Sequence, residues 1–336
     1  MIFKNYSDFR KILKKRKYGL IGKHSAVQVC NWTKNSLNNR GVCWKEKFYG
    51  IQSHRCCQVS VSLFNCENKC IHCWRDTEFT LPGKVKNPEN PIEIINELIQ
   101  ERKRLMNGFG GNEKAKEKLR EALEPTLFTF SLTGEATLYP KLGEMISELR
   151  KRGMITFIVT NGLNPSAICN LAMKNALPTQ LTLSLNVSNK EMYAPWHKSS
   201  KKDAWKKINE SLLLLKKLKD KTRRAIRLNL VKKDLEDESF IGQLSNMEDK
   251  HVKEYVLLIK KAMPDFIHVD GFKSIGDAKK RMSYKKMPNF EEVKSFAKKL
   301  EKELKSEGYR IMGEEPRSAV VMLSNKNKSE LKIRKI

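Results

Sequence analysis

At 336 residues, 40% hydrophobic and 31% charged, the chain is long enough to bury a sizeable core and too apolar to be disordered. Its 66 lysines and arginines against 38 acidic residues leave a net charge of +28, which points to a polyanionic partner, nucleic acid by default. No run approaches 18 apolar residues and the basic start lacks a signal-peptide core, so a cytoplasmic protein without membrane contact is expected.

Residues 1–55 are basic, carry spaced cysteines and show no strong periodicity. They read as an N-terminal segment ahead of the main domain, 56–325, with 326–336 a basic tail. From residue 56 strand-like and helix-like stretches alternate. Strands are predicted at Val59–Leu63, Leu127–Leu132, Thr156–Thr160, Leu181–Val187, Ile226–Val231 and Phe266–Val269. Helices are predicted at Pro91–Met106, Lys141–Arg152, Pro165–Asn175, Asp203–Leu218, Val252–Ala262 and Phe290–Glu307. Leu142, Met145, Ile146 and Leu149 share one helical face, and Gly153 ends that helix. Gly108–Leu119 reads as an exposed loop. Tyr309–Met312 and Ala319–Leu323 are two short strand-like pieces near the end. Parallel strands need crossovers, so the alternation predicts an α/β fold, a partial TIM-like (β/α)6-8 barrel with a cysteine-containing N-terminal extension.

Seven of the eight cysteines lie between residues 30 and 73, a spacing that favours metal over disulfides; Cys169, in an apolar helical pattern, reads as core. Cys66, Cys70 and Cys73 form Cys-x3-Cys-x2-Cys. Three thiolates hold three corners of a [4Fe–4S] cubane and leave one iron open to the amino and carboxylate groups of S-adenosylmethionine. A zinc site with His72 as fourth ligand is the competing reading, but the spacing is uncommon for zinc. Strand ends add polar residues where a barrel places its chemistry: Thr133-Gly134-Glu135 after the second predicted strand, Asn161-Gly162 after the third, Ser184 and Asn186 on the fourth, Arg227 and Asn229 on the fifth.

Upstream, Cys30, Cys43 and Cys56 are separated by twelve residues in each gap. Three further thiols suit a second cluster; buried structural cysteines or scattered zinc ligands are the alternatives, and Cys57 is a competing ligand.

These motifs resemble the radical S-adenosylmethionine superfamily. The resemblance implies that Gly134 and Glu135, with Thr133 alongside, bind the methionine amino group. It further implies that Ser184, Asn186 and Arg227 contact ribose and carboxylate, that Asn161 lies in the same cofactor site, and that Trp74 lies near adenine. The stretches Gly41-Val-Cys43-Trp-Lys45-Glu-Lys47-Phe-Tyr-Gly50, Ser131-Leu-Thr-Gly-Glu-Ala-Thr-Leu-Tyr-Pro140 and Glu315-Pro-Arg-Ser318 are similar to the archaeal tRNA 4-demethylwyosine synthase family, over roughly residues 18–323.

That resemblance implies two [4Fe–4S] clusters, one holding S-adenosylmethionine and one auxiliary. It implies as substrates pyruvate and N1-methylguanosine-37 in the anticodon loop of tRNA(Phe), with a ferredoxin or flavodoxin as electron donor and a monomeric enzyme. Lys45 matches the lysine expected to form a Schiff base with pyruvate, with Lys47 nearby and the auxiliary cluster an alternative pyruvate site. Trp32, Trp44, Phe48, Tyr49, Trp196 and His197 are candidates to stack on an everted base. The rival functions are another radical RNA-modifying enzyme, such as a methylthiotransferase or methyltransferase, and a non-enzymatic zinc RNA-binding protein.

Overall fold

The computed structural model describes residues 6–111 and 115–333. Ten strands run β1 Gly19–Ile21, β2 Ser25–Gln28, β3 Cys56–Ser60, β4 Leu127–Phe130, β5 Ile155–Thr160, β6 Gln180–Ser184, β7 Arg223–Leu230, β8 Phe266–Gly271, β9 Arg310–Glu315 and β10 Val320–Ser324. They form one sheet in the order β1-β2-β3-β4-β5-β6-β7-β8-β10-β9. β3 to β8 are parallel neighbours, each reached through a helical crossover, as right-handed βαβ units require. β2 and β10 flank them antiparallel. The expected partial barrel is borne out: six parallel strands curl around a lumen, and antiparallel hairpins extend both edges.

The helices follow from their sequences. Helix Pro91–Met106 opens with Asn90, whose side chain accepts from Ile92 N, and with proline at its first turn; it buries Ile94, Ile95, Leu98 and Met106. Helix Phe290–Glu303 opens on a capping box of Asn289 and Glu292. The main core lies between these outer helices and the sheet.

Side chains alternate along each strand, so every second residue enters the lumen. Its floor is apolar: Leu127, Phe157, Ala225 and Phe266 pack with Phe48 and Tyr49 of helix Trp44–Tyr49, which plugs the barrel from the segment before β3. Above the floor the lumen becomes polar, with Thr129, Thr182, Arg227, His268 and Asp270.

Several expectations need correction. β3 begins at Cys56 and not at Val59, because Cys56 already pairs with Leu127; this puts Cys56 at the floor end of the strand. Residues 6–55 are ordered beyond what their pattern shows. Helix Tyr6–Lys15 is held by Phe9 and Leu13 against Leu63, Phe64 and Leu132, and β1–β2 join the sheet through β3. The Gly108–Leu119 segment contains a short turn of helix at Asn107–Phe109 and the start of helix Lys116–Ala122; its residues 112–114 lie outside the described residues. Cys169 is half-buried on helix Pro165–Met173 rather than core. Some basic side chains lie in the interior. Lys286 is fully buried, donating to the carbonyls of Gly242 (2.6 Å) and Leu244 (2.9 Å), and Arg224 is buried against Asp265 at 2.7 Å.

Candidate active site

Beyond the C-terminal end of β3 the chain enters the Cys66–Cys73 loop, whose backbone is fixed from three sides. Cys66 N donates to Leu81 O (3.0 Å), Lys69 N to His197 O (2.9 Å) and Ile71 N to Trp196 O (3.0 Å). The last two acceptors are carbonyls that helix Lys190–His197 leaves unpaired at its C-terminal end. Arg281 closes the third side, with Nε donating to Ile71 O at 3.1 Å and Nη2 to the carbonyls of Cys73 and Arg75.

In this loop the thiols of Cys73 and Cys66 lie close enough to Cys70 to act on its charge. Burial pushes the Cys70 thiol well up, and Cys73 and Cys66 push it further. Burial raises Cys66 to about 11. Burial works against the charge of Arg75, yet Cys66, Cys73 and Cys70 around it raise its pKa overall. Three crowded thiols beside a buried guanidinium suit a group that takes them as thiolates, as an iron–sulfur cluster does. Among the described residues no three metal-binding side chains converge on a point as ligands of a single ion would. His72 is committed elsewhere: its Nδ1 accepts from Trp196 Nε1 at 2.8 Å, and its Nε2 lies 3.3 Å from the amide of Asn186. The atom of Asn186 that faces Nε2 is its amide nitrogen, Nδ2. The zinc reading loses its fourth ligand.

The polar strand ends gather around this loop. Gly134 has φ +73°, and a Cβ there would lie 1.8 Å from Ser62 O, so only glycine fits. Thr133 O accepts from Ser60 Oγ at 2.6 Å. The Glu135 carboxylate is buried and accepts from Thr137 Oγ1 (2.7 Å), Thr160 Oγ1 (2.7 Å) and Asn161 N (2.8 Å). Burial, then Glu67, raises its pKa, with those bonds working the other way. Asn161 Nδ2 reaches Cys66 Sγ (3.8 Å) and Glu67 Oε2 (3.3 Å). Ser184 is the register partner of Arg227, whose Nη2 pairs with Asp270 at 2.5 Å. Trp74 stacks on Tyr18 from the N-terminal segment, with centroids 6.4 Å apart.

A second group of thiols lies at the floor. Three elements deliver it: Cys30 caps helix Asn31–Leu37 and accepts from Thr33 N (3.4 Å), Cys43 precedes helix Trp44–Tyr49, and Cys56 opens β3 with Thr129 Oγ1 at 3.5 Å. Burial raises the Cys43 thiol to about 12, Lys45 opposes the rise, and Cys30 and Cys56 add to it. Burial and Cys30 likewise raise Cys56. Cys57 points to the other face of the strand, into the main core, and is not part of this group. Lys45 Nζ lies 5.6 Å from the centroid of Phe157 and 5.7 Å from that of Trp44. Lys47 instead turns out to the buried Glu315. His268 completes the surroundings: Tyr49 Oη bonds its Nε2, Trp44 packs on it at 4.8 Å, and burial lowers its pKa to about 3, so it is neutral.

Residues 61–238 match the radical SAM superfamily profile and 261–325 that for wyosine base formation. An S-adenosyl-L-methionine-dependent tRNA 4-demethylwyosine synthase of Pyrococcus horikoshii is 36% identical over 94% of this chain and 88% of its own length. The chain belongs to the tRNA 4-demethylwyosine synthase family. The Methanocaldococcus jannaschii member is 31% identical over 96% of this chain and 97% of its own. A solved TYW1 with a lysine–pyruvate adduct bound superposes with a TM-score of 0.79 at 30% identity, covering 99% of this chain and 98% of that one. An archaeal TYW1 gives 0.74 at 28% identity, over 99% and 100%. As a 4-demethylwyosine synthase by family, the protein is a radical adenosylmethionine enzyme with an iron–sulfur cluster. No helix among the described residues is long and apolar enough to cross a membrane.

For a 4-demethylwyosine synthase the sequence left several residues unnoticed. Arg281 approaches the loop from 208 positions away and carries no local signal. Arg75 was visible only as the residue after Trp74, Glu67 only as a residue inside the motif. The stacking candidates need correction too: Phe48, Tyr49, Trp196 and His197 are core, while Trp32, under Arg317, and Trp44 are half-buried.

Proposed function

We propose that this chain condenses N1-methylguanosine-37 in the anticodon loop of tRNA(Phe) with pyruvate, building the third ring of 4-demethylwyosine. Cys66, Cys70 and Cys73 hold the cluster that binds S-adenosylmethionine; Trp74, Thr133, Gly134, Glu135, Asn161, Ser184, Asn186 and Arg227 surround that cofactor. Together the pair supplies a carbon radical that removes hydrogen from the N-methyl group. Cys30, Cys43 and Cys56 hold an auxiliary cluster, and residues 1–55 serve to deliver it to the barrel floor. The Lys45 amine condenses with the pyruvate ketone, releasing water, and holds C2 for attack by the methylene radical. The C1–C2 bond then breaks and restores the imine; C1 departs as a carbon dioxide radical anion that exchanges one electron with the electron carrier, ending as carbon dioxide or, with an electron and a proton, as formate. The exocyclic amine displaces the Lys45 amine from the imine carbon to close the ring. The enzyme acts as a monomer and draws electrons from a ferredoxin or flavodoxin.

The observation that carries this reading is the direction of Lys45. Its Nζ is turned to Phe157 in the lumen, facing Cys43, while Lys47 is spent on Glu315. The lysine–pyruvate adduct of the related TYW1 supports the same chemistry. The test is mass spectrometry of N1-methylguanosine-containing tRNA incubated anaerobically with reduced protein, adenosylmethionine and carbon-13 pyruvate. A tricyclic base carrying two labelled carbons is expected; an unlabelled or unchanged base overturns the proposal.

A further inference from the structure

On the buried stripe of helix Pro91–Met106, among Ile94, Ile95, Leu98 and Met106, stands Arg102, only 1% exposed. Its guanidinium donates to three carbonyls: Nε to Cys56 O at 3.1 Å, Nη2 to His54 O at 2.7 Å, and Nη1 to Ala122 O. All three acceptors are neutral. The buried Arg224, by contrast, has the carboxylate of Asp265. The sulfurs of Cys57, Cys56 and Cys30 act on the Arg102 charge in the favourable direction, and the like charge of Arg55 acts against it. Cys57, on the opposite face of β3, packs into the main core and lies outside the second thiol group.

A guanidinium does not give up its proton, and an uncompensated cation in a protein interior is strongly unfavourable. The remaining sulfurs, Cys56 and Cys30, belong to the second thiol group. Three thiolates around an iron–sulfur cubane carry net negative charge at this place. Net charge and the polar groups around a cluster set its reduction potential.

We infer that Arg102 is a positioning residue that supplies the counter-charge of the auxiliary cluster and raises its reduction potential. It grips Cys56 through the backbone, so it also fixes the ligand that opens β3. This inference rests on the auxiliary-cluster reading.

The test uses the full chain with Cys66, Cys70 and Cys73 replaced by alanine, so that only the auxiliary cluster remains. Iron is counted after anaerobic reconstitution, and the midpoint potential is read by a redox titration followed by electron paramagnetic resonance. With Arg102 present, about four irons are expected. Arg102→Gln is expected to shift the potential to more negative values or to lose the iron, and Arg102→Lys to keep both iron and potential near those of the parent. Arg102→Gln holding its iron at an unchanged potential overturns the inference. So does loss of the iron in Arg102→Lys, which assigns Arg102 to carbonyl capping alone. If Arg102→Gln is insoluble, Arg102→Lys decides by the same two criteria. A parent that binds no iron refutes the auxiliary cluster itself, and the inference falls with it.

Discussion

The two thiol groups are built in opposite ways. Cys66, Cys70 and Cys73 belong to one loop, and their mutual approach is set by the spacing between them. Cys30, Cys43 and Cys56 come from a helix cap, the residue before a second helix, and the first residue of a strand. Their approach depends on the whole N-terminal segment docking on the barrel. They occupy opposite ends of β3, separated by roughly 16 Å of strand. Both share one electrostatic feature, a buried arginine facing sulfur, Arg75 above and Arg102 below. The proposed function divides the labour between them: the loop would generate the radical at the open end, and the floor would hold the carbon donor.

The largest effects test that division. Cys66→Ala should abolish both deoxyadenosine release and ring formation. Cys43→Ala should keep deoxyadenosine release and lose the tricyclic base. Equal loss of deoxyadenosine in both variants breaks the comparison. Next, borohydride should trap labelled pyruvate on wild type and on Lys47→Ala, and not on Lys45→Ala; trapping that survives in Lys45→Ala moves the role to another lysine.

Smaller effects concern the frame. Gly134→Ala places a methyl group against Ser62 O at positive φ. It should lower stability by about 2–3 kcal/mol, read as a lower Tm, and weaken adenosylmethionine binding, with pyruvate trapping at Lys45 retained. A further effect is on pH. Burial lowers His197 and His268 from 6.5 to about 3. The unfolded chain therefore takes up protons that the folded chain refuses. Stability should be fully present above pH 6.5 and should fall as pH drops toward 3, by about 1.4 kcal/mol per pH unit for each histidine. His268→Asn should flatten that slope in denaturant titrations.

The same contrast explains what the sequence disclosed. Helix Pro91–Met106 is legible because Asn90, Pro91 and a regular apolar stripe mark it locally. The loop thiols are legible for the same reason. Helix Tyr6–Lys15 is not, because its described packing rests on Phe9 and Leu13 alone. Helix Lys190–His197 was missed because Pro195 interrupts its pattern, although it fixes the cluster loop. Basic residues mislead most. Nothing local marks Lys286, Arg224 and Arg102 as interior, and each is buried because carbonyls or a carboxylate distant in sequence close around it. Arg281 acts across the same kind of gap. The choice between Lys45 and Lys47 rests on Glu315, which arrives with β9.

The claim on which the rest depends is that one barrel carries two separate clusters. The most direct measurement is iron and sulfide per chain, after anaerobic reconstitution, in wild type and in the two triple alanine variants. Wild type should hold about eight irons, and removal of either Cys66, Cys70 and Cys73 or Cys30, Cys43 and Cys56 should leave about four. Wild type saturating at about four irons, or no loss of iron when the floor cysteines are removed, would contradict it.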